Sequence, residues 1–326
     1  MAGRPDGRHG MIPHFPFDGR PRNDLLSDLR RAARDTGCFY ARHPLLPDAR
    51  CAQALADARA FFDRDLDSKR ALAIGLSPHW RGYSEMRNVR DWREQIHFGR
   101  EEARCDSAAD YARLRGPNLW PGDDGWRGRV LRLMDDLERA GRDILGTLAL
   151  SLDLPRSWFV GEGEEPYVLL KLIHYPATEV PQSGVAAHVD FSWITLLLQD
   201  DCGGLEVRSP AGAWRAVPSA GGALLVNIGE ILQFATRGHF AATPHRVRMG
   251  PASRPRVSMP FFLNPGLTTL VAPAPLESPP PAGLEQPAER DHVHRVLTGR
   301  ERDPFVFGEA EWRRKGLGVW CARCVS

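Results

Sequence analysis

The chain has 326 residues, 42% of them hydrophobic and 26% charged, with a formal net charge of +2. That length suits one large buried core or two modest ones, and the near-balanced charge gives no field for capturing nucleic acid. No run approaches the roughly 18 apolar residues that span a bilayer, and Met1–Gly10 lacks the apolar segment of a secretory signal, so a cytoplasmic location is expected.

Positive charge is almost all arginine; lysine occurs only at Lys69, Lys171 and Lys315. Of the six cysteines, Cys38, Cys51, Cys105 and Cys202 are scattered, as suits reduced thiols better than a disulfide framework. Cys321-Ala-Arg-Cys324 has the spacing of half a zinc site, but no second pair lies nearby, and it reads as a free-thiol tail.

Residues 1–11 are polar, rich in glycine and arginine, and read as a disordered N-terminus. Residues 12–160 read as a largely helical region. A helix is predicted over Asn23–Thr36, with Asn23 as N-cap, Leu25, Leu26, Leu29 and Ala33 at helical spacing, and Gly37 as its end. A short strand follows at Cys38-Phe39-Tyr40, then a second amphipathic helix over Asp48–Phe62. The longest helical pattern runs from Trp126 to Leu152 and stops before Pro155.

From Tyr167 the period changes from helix to strand. Short strands are expected at Val168–Tyr175, Ile194–Gln199, Gly204–Arg208, Trp214–Val217, Ala223–Ile228, His245–Arg248 and Arg256–Phe262, with a turn at Pro210-Ala-Gly-Ala213. Many short strands at close intervals indicate a sandwich or jelly roll, here over residues 161–270. Residues 271–326 form a proline-rich segment and a C-terminal tail. Its core, Pro279-Pro280-Pro281, excludes a helix interior, and a helical piece is expected around Ala288–Leu297.

The chemistry concentrates around His188-Val189-Asp190. If Ala187–Phe191 is extended, His188 and Asp190 lie two residues apart on one face and present an imidazole beside a carboxylate. His245, from another strand, would complete two histidines and one carboxylate on one face of a metal. That set leaves three coordination positions open, as in non-haem Fe(II) oxygenases. The competing histidines are placed elsewhere: His174 on the opposite strand face, His239 at a loop tip, His292 and His294 in a solvated end, and His97 in a structural role or a substrate contact. Asp200 and Asp201 read as turn residues before Cys202-Gly-Gly204. Eleven residues after His245, Arg256 alternates with Ser258 on one strand face and can form a two-pronged pair with a carboxylate.

These residues resemble the isopenicillin N synthase-like branch of the Fe(II)/2-oxoglutarate-dependent dioxygenases. The likeness is carried by Lys171-Leu-Ile-His-Tyr175-Pro176, His188-Val-Asp190, Val226-Asn-Ile-Gly229, Pro244-His245-Arg246-Val247 and Arg256-Val-Ser258-Met-Pro-Phe-Phe, and more loosely by Thr36-Gly-Cys-Phe39, Arg81-Gly-Tyr83 and Gly116-Pro-Asn-Leu-Trp-Pro121. It implies a mainly β fold with flanking helices, a double-stranded β-helix or distorted jelly roll. It also implies Fe(II) on His188, Asp190 and His245, O2 as oxidant, and 2-oxoglutarate as co-substrate on Arg256, Ser258 and Tyr175. Because Asp190 is retained, hydroxylation-type chemistry is favoured over halogenation. Substrate contacts implied by position are Arg81, Tyr83, Trp193, Phe262 and Asn264, with a small molecule as substrate and no nucleic acid, membrane or obligate protein partner. Some members keep the Arg-x-Ser pair without consuming 2-oxoglutarate, so an oxidase of that type is the alternative reading, and a non-catalytic metal-binding module a further one.

Overall fold

A computed structural model describes residues 12–18, 22–105, 107–250, 254–276 and 303–316. The elements in chain order are β1 (His14–Pro16), α1 (Asn23–Asp35), β2 (Cys38–Arg42), α2 (Asp48–Phe62), α3 (Leu66–Arg70), β3 (Gly82–Arg87), β4 (Trp92–Gly99) and α4 (Asp124–Leu150). They continue with β5 (Val168–Tyr175), β6 (Gln182–His188), β7 (Ile194–Gln199), β8 (Leu205–Arg208), β9 (Trp214–Ala216), β10 (Leu224–Ile228) and α5 (Glu230–Ala235). The last are β11 (His245–Met249), β12 (Arg256–Leu263), β13 (Leu270–Val271), β14 (Phe305–Val306) and α6 (Phe307–Arg314).

The strands form an eight-stranded sheet, ordered β1-β2-β10-β7-β12-β5-β4-β3, facing a four-stranded sheet, β6-β11-β8-β9. This is the double-stranded β-helix that the family resemblance implied, and the jelly roll that the strand spacing indicated. Period-two alternation gives the large sheet two different faces. One face, with Ile96, Phe98, Leu170, Leu172, Leu196 and Phe261, packs on the apolar stripe of α4, including Leu133, Leu137 and Ile144, in the main core. The other, with Tyr40, Ile173, Tyr175, Leu197 and Leu225, meets Leu205, Val207, Val247 and Met249 of the small sheet.

Several expectations change in detail. Asn23 is the first helical residue of α1; the N-cap is Arg22, whose side chain makes no capping bond. The α4 helix ends at Leu150, and the chain turns at Asp153, which has φ +60°, before Pro155 is reached. The region read as helical, 12–160, also contributes β1–β4, which extend the large sheet at both ends. Chain positions near 160 are therefore not a boundary between separate cores. Residues 1–11, the piece around 288–297, His292, His294, Cys321 and Cys324 lie outside the described residues. No described helix is long and apolar enough to cross a membrane.

Candidate active site

His188, Asp190 and His245 converge at one end of the space between the sheets, their potential ligand atoms all within 4.8 Å of one another. His188 ends β6 and His245 opens β11, and the two strands pair these residues directly opposite each other. The rings stand 4.3 Å apart between centroids. Asp190 arrives differently from the expectation: β6 stops at His188, and Asp190 lies beyond it in a loop rather than two places along a strand. That loop is held by Glu230 N–H donating to the Asp190 carbonyl at 2.8 Å and Gly229 N–H donating to the Trp193 carbonyl at 3.0 Å. Asp190 Oδ1 then lies 3.5 Å from His188 Nε2 and 3.7 Å from His245 Nε2.

Each imidazole is oriented from behind. The Nδ1 of His188 lies 2.9 Å from the Ala186 carbonyl, and that of His245 lies 2.9 Å from the Thr243 carbonyl. A carbonyl can only accept, so each Nδ1 carries the proton and each Nε2 keeps its lone pair for the centre of the triad. Burial pushes His245 towards its neutral form. Burial also opposes ionisation of Asp190, but the two histidines and the Thr195 hydroxyl outweigh it and hold the carboxyl below the usual range. Asp190 Oδ2 is buried with no hydrogen-bond partner. An unpartnered carboxylate oxygen beside two free imidazole nitrogens is a donor set that fits a divalent iron ion.

The triad lines a cavity of about 260 Å³ shared with Arg256, Ser258, Tyr175, Lys171, Asn227 and Phe262. Arg256 is 1% exposed. Its Nη2 donates to Gln199 Oε1 at 2.8 Å, while its Nε and Nη1 have no partner among the described residues. Its guanidinium lies 4.8 Å from the Tyr175 ring, on the residue paired with Arg256 across β12 and β5. Ser258 lines the same wall two places along β12. A buried cation with idle donors in a fork geometry fits a carboxylate.

Of the five positions offered for substrate contact, only Phe262 lines the cavity. Arg81 is 1% exposed, and its guanidinium donates to the Leu114 carbonyl at 2.9 Å and the Tyr167 hydroxyl at 3.2 Å. Tyr83 donates to Glu94 Oε2 at 2.5 Å, Trp193 packs on Phe159, and Asn264 donates to the Tyr167 carbonyl at 2.8 Å. None of these four lines the cavity: Arg81, Tyr83 and Asn264 direct hydrogen bonds to the surrounding framework, and Trp193 packs its ring on Phe159. His239 is buried rather than at an exposed loop tip, and His97 is buried beside β5 without lining the cavity. His174 points away from the site, as expected, with Nδ1 2.7 Å from Glu94 Oε1. Asp200 is buried and accepts from Val257 N–H at 2.7 Å.

Two cavity residues and a glycine beside the cavity are given no role by the sequence motifs. Lys171 reaches the cavity from β5, and Arg93 from β4. Gly184 lies on β6 where an added Cβ would sit 2.8 Å from Tyr175 Cδ1, so only glycine lets the small sheet approach that ring. The parity of Lys171 with Tyr175 along one strand could have exposed the first.

Residues 166–265 match the family model of the 2OG-Fe(II) oxygenase superfamily, and residues 12–123 match that of the non-haem dioxygenase in morphine synthesis N-terminal region. A 2-oxoglutarate-Fe(II) type oxidoreductase of Aspergillus fumigatus is 30% identical over 268 residues, covering 77% of this chain and 79% of that protein. This chain belongs to the 2OG-Fe(II) oxygenase superfamily. The 2-oxoglutarate-Fe(II) type oxidoreductase hxnY of Emericella nidulans is 28% identical over 270 residues, 77% of each chain. Among solved structures, a full-length Neurospora crassa protein in complex with alpha-KG and thymine superposes with a TM-score of 0.77 at 20% identity, over 95% of this chain and 98% of that one. The superfamily member described here is thus an Fe(II)- and 2-oxoglutarate-dependent oxidoreductase.

Proposed function

We propose that this enzyme couples oxidative decarboxylation of 2-oxoglutarate to oxidation of a C–H bond in a small molecule, with Fe(II) on His188, Asp190 and His245. In the same reading, Arg256, with Ser258 and Tyr175, holds the distal carboxylate of 2-oxoglutarate. The observation that carries it is Arg256: a buried guanidinium with two idle donor atoms, in the same cavity as the triad. The balanced reaction takes O2, 2-oxoglutarate and R–H to succinate, CO2 and R–OH; desaturation and ring closure are the other outcomes of the same hydrogen removal.

Bound Fe(II) supplies the O2 chemistry, and the protein supplies binding, orientation and electrostatics. His188 and His245 keep their Nε2 lone pairs inward because backbone carbonyls hold the Nδ1 protons. Asp190 would contribute the one negative charge of the set, which as two histidines and one carboxylate would leave room on the metal for co-substrate and O2. Its presence favours hydroxylation over halogenation. Arg256 fixes one end of the 2-oxo acid so that the oxo-acid end meets the triad. Ile173, Leu197, Leu205 and Val247 give the cavity apolar walls that limit water. A cytoplasmic location is the reading that the scattered free thiols Cys38, Cys51, Cys105 and Cys202 support.

The experiment is O2 uptake with Fe(II) against a metabolite panel, scored for succinate. Succinate formation in step with substrate loss is expected. Substrate oxidation that proceeds without any 2-oxo acid would replace this reading by the oxidase one.

A further inference from the structure

Lysine occurs at three positions in this arginine-rich chain. Lys69 is paired with Glu94 at 2.8 Å, and Lys315 with Glu311 at 3.2 Å. Lys171 lines the cavity and has no hydrogen-bond or ion-pair partner among the described residues; its ammonium lies 5.0 Å from the centre of the Phe262 ring. Neither the iron site nor the 2-oxoglutarate site uses it.

Its place along the sheet separates it from Arg256. Lys171 and Tyr175 share one face of β5, four residues apart, and Arg256 pairs directly with Tyr175. At roughly 3.3 Å per residue, the two cations leave the sheet about 13 Å apart along the strand. Phe262, beneath the ammonium, pairs with Thr195, whose hydroxyl supports Asp190. Lys171 thus lies at the far end of the cavity from Arg256, where co-substrate bound at Arg256 would leave space.

The surroundings are positive. Arg93 lines the cavity from β4, and Arg314 and Lys315 add their fields from the end of α6. Arg93 is paired with Asp91 at 3.3 Å, and Arg314 and Lys315 share Glu311. Against these four cations stand the paired carboxylates Asp91 and Glu311 and, in the cavity itself, Asp190. Burial first, then Arg93, Lys315 and Arg314, pull the Lys171 ammonium down to about 7. The opposing influence there is Asp190, whose charge is matched by iron once the triad is loaded. An arriving anion would relieve this imbalance.

We propose that Lys171, supported by Arg93, binds a carboxylate of the primary substrate, so that the enzyme oxidises small carboxylic acids. This rests on the reading of the triad and Arg256 as the iron and 2-oxoglutarate sites. A cavity of about 260 Å³ shared with co-substrate restricts the partner to a small acid.

The test uses full-length enzyme loaded with Fe(II) and 2-oxoglutarate without O2, titrated by calorimetry. The probes are phenylacetate, 3-phenylpropionate and hexanoate, each against its neutral amide. Acids should outbind their amides by about 10- to 100-fold, the range of a charge-assisted hydrogen bond. Lys171→Met should erase that preference by weakening the acids alone, and Lys171→Arg should restore part of it. A wild-type panel in which no acid outbinds its amide overturns the proposal. So does a Lys171→Met protein that keeps the preference, or one whose loss falls on 2-oxoglutarate, which would move Lys171 to the co-substrate. Failure of the wild type to bind 2-oxoglutarate at all, titrated first and separately, overturns the underlying reading as well.

Discussion

Replacing Arg256 by alanine tests the co-substrate assignment, and the structure sets both the size and the sign of two separate effects. In the empty protein, Arg256 is 1% exposed and its charge has no carboxylate partner among the described residues. Removing it forfeits one hydrogen bond to Gln199 but also removes a buried unpaired charge, so the melting temperature of the empty protein should move little. Binding is affected much more. Breaking one side of a buried ion pair costs about 3–5 kcal/mol, which at about 1.4 kcal/mol per decade is roughly 100- to 3,000-fold in 2-oxoglutarate affinity. The assay is a thermal shift against 2-oxoglutarate concentration beside succinate yield. A saturating co-substrate at 100 times its Kd stabilises the native state by about 2.7 kcal/mol, and that shift should vanish in Arg256→Ala at the same concentration. Arg256→Lys should recover only part, because an ammonium cannot reproduce the fork. Metal content should be unchanged, since Arg256 is not among the converging ligand groups. An Arg256→Ala enzyme with wild-type 2-oxoglutarate dependence would refute the assignment.

Three other outcomes are expected. His188→Ala, Asp190→Ala and His245→Ala should each lose bound iron by metal analysis, while His174→Ala and His239→Ala retain it; retention in the first set with loss in His239→Ala would reverse the ligand assignment. Glu94 is buried, and although burial alone would raise its pKa, bonds from His174, Lys69 and Tyr83 hold it near about 2. A carboxylate depressed in the folded state and titrating near 4.5 when unfolded stabilises above that pH and loses its contribution as pH falls towards about 2. Glu94→Gln should therefore cost about 3 kcal/mol at pH 7 in urea unfolding and flatten the acid limb; an unchanged acid limb would show that this cluster does not set it. Gly184→Ala should press on the Tyr175 ring. At about 1–2 kcal/mol of overpacking it should raise the 2-oxoglutarate KM about 10-fold, and an unchanged KM would remove Tyr175 from the binding wall.

What could be read in the sequence was what repeats locally. The strands β5 and β7 were legible to the residue because each is a short, mainly apolar run closed by a turn signal, Pro176 after β5 and Asp200-Asp201 after β7, and α2 because its apolar spacing is helical throughout. The strand β4 was not, since Trp92–Gly99 mixes charged and apolar residues whose alternation makes sense only once α4 covers one face and the cavity the other. His188 and Asp190 were legible as a same-face pair, and His245 through the family resemblance of Pro244-His245-Arg246-Val247. Asp190 reaches the two histidines from a loop held by the start of α5, a contact across forty residues that no local period encodes. Four of the five expected substrate positions lie off the cavity for the same reason. Arg81, Tyr83, Trp193 and Asn264 are placed by partners on other elements, which hold them off the cavity. Lys171 shows the converse: its parity with Tyr175 was present in the sequence, but its meaning was not. Its ammonium is distinctive because β4 and the end of α6 bring other cations to it while no carboxylate among the described residues pairs with it. Local sequence determines which face of a strand a residue occupies; only the packed fold determines which charges it meets there.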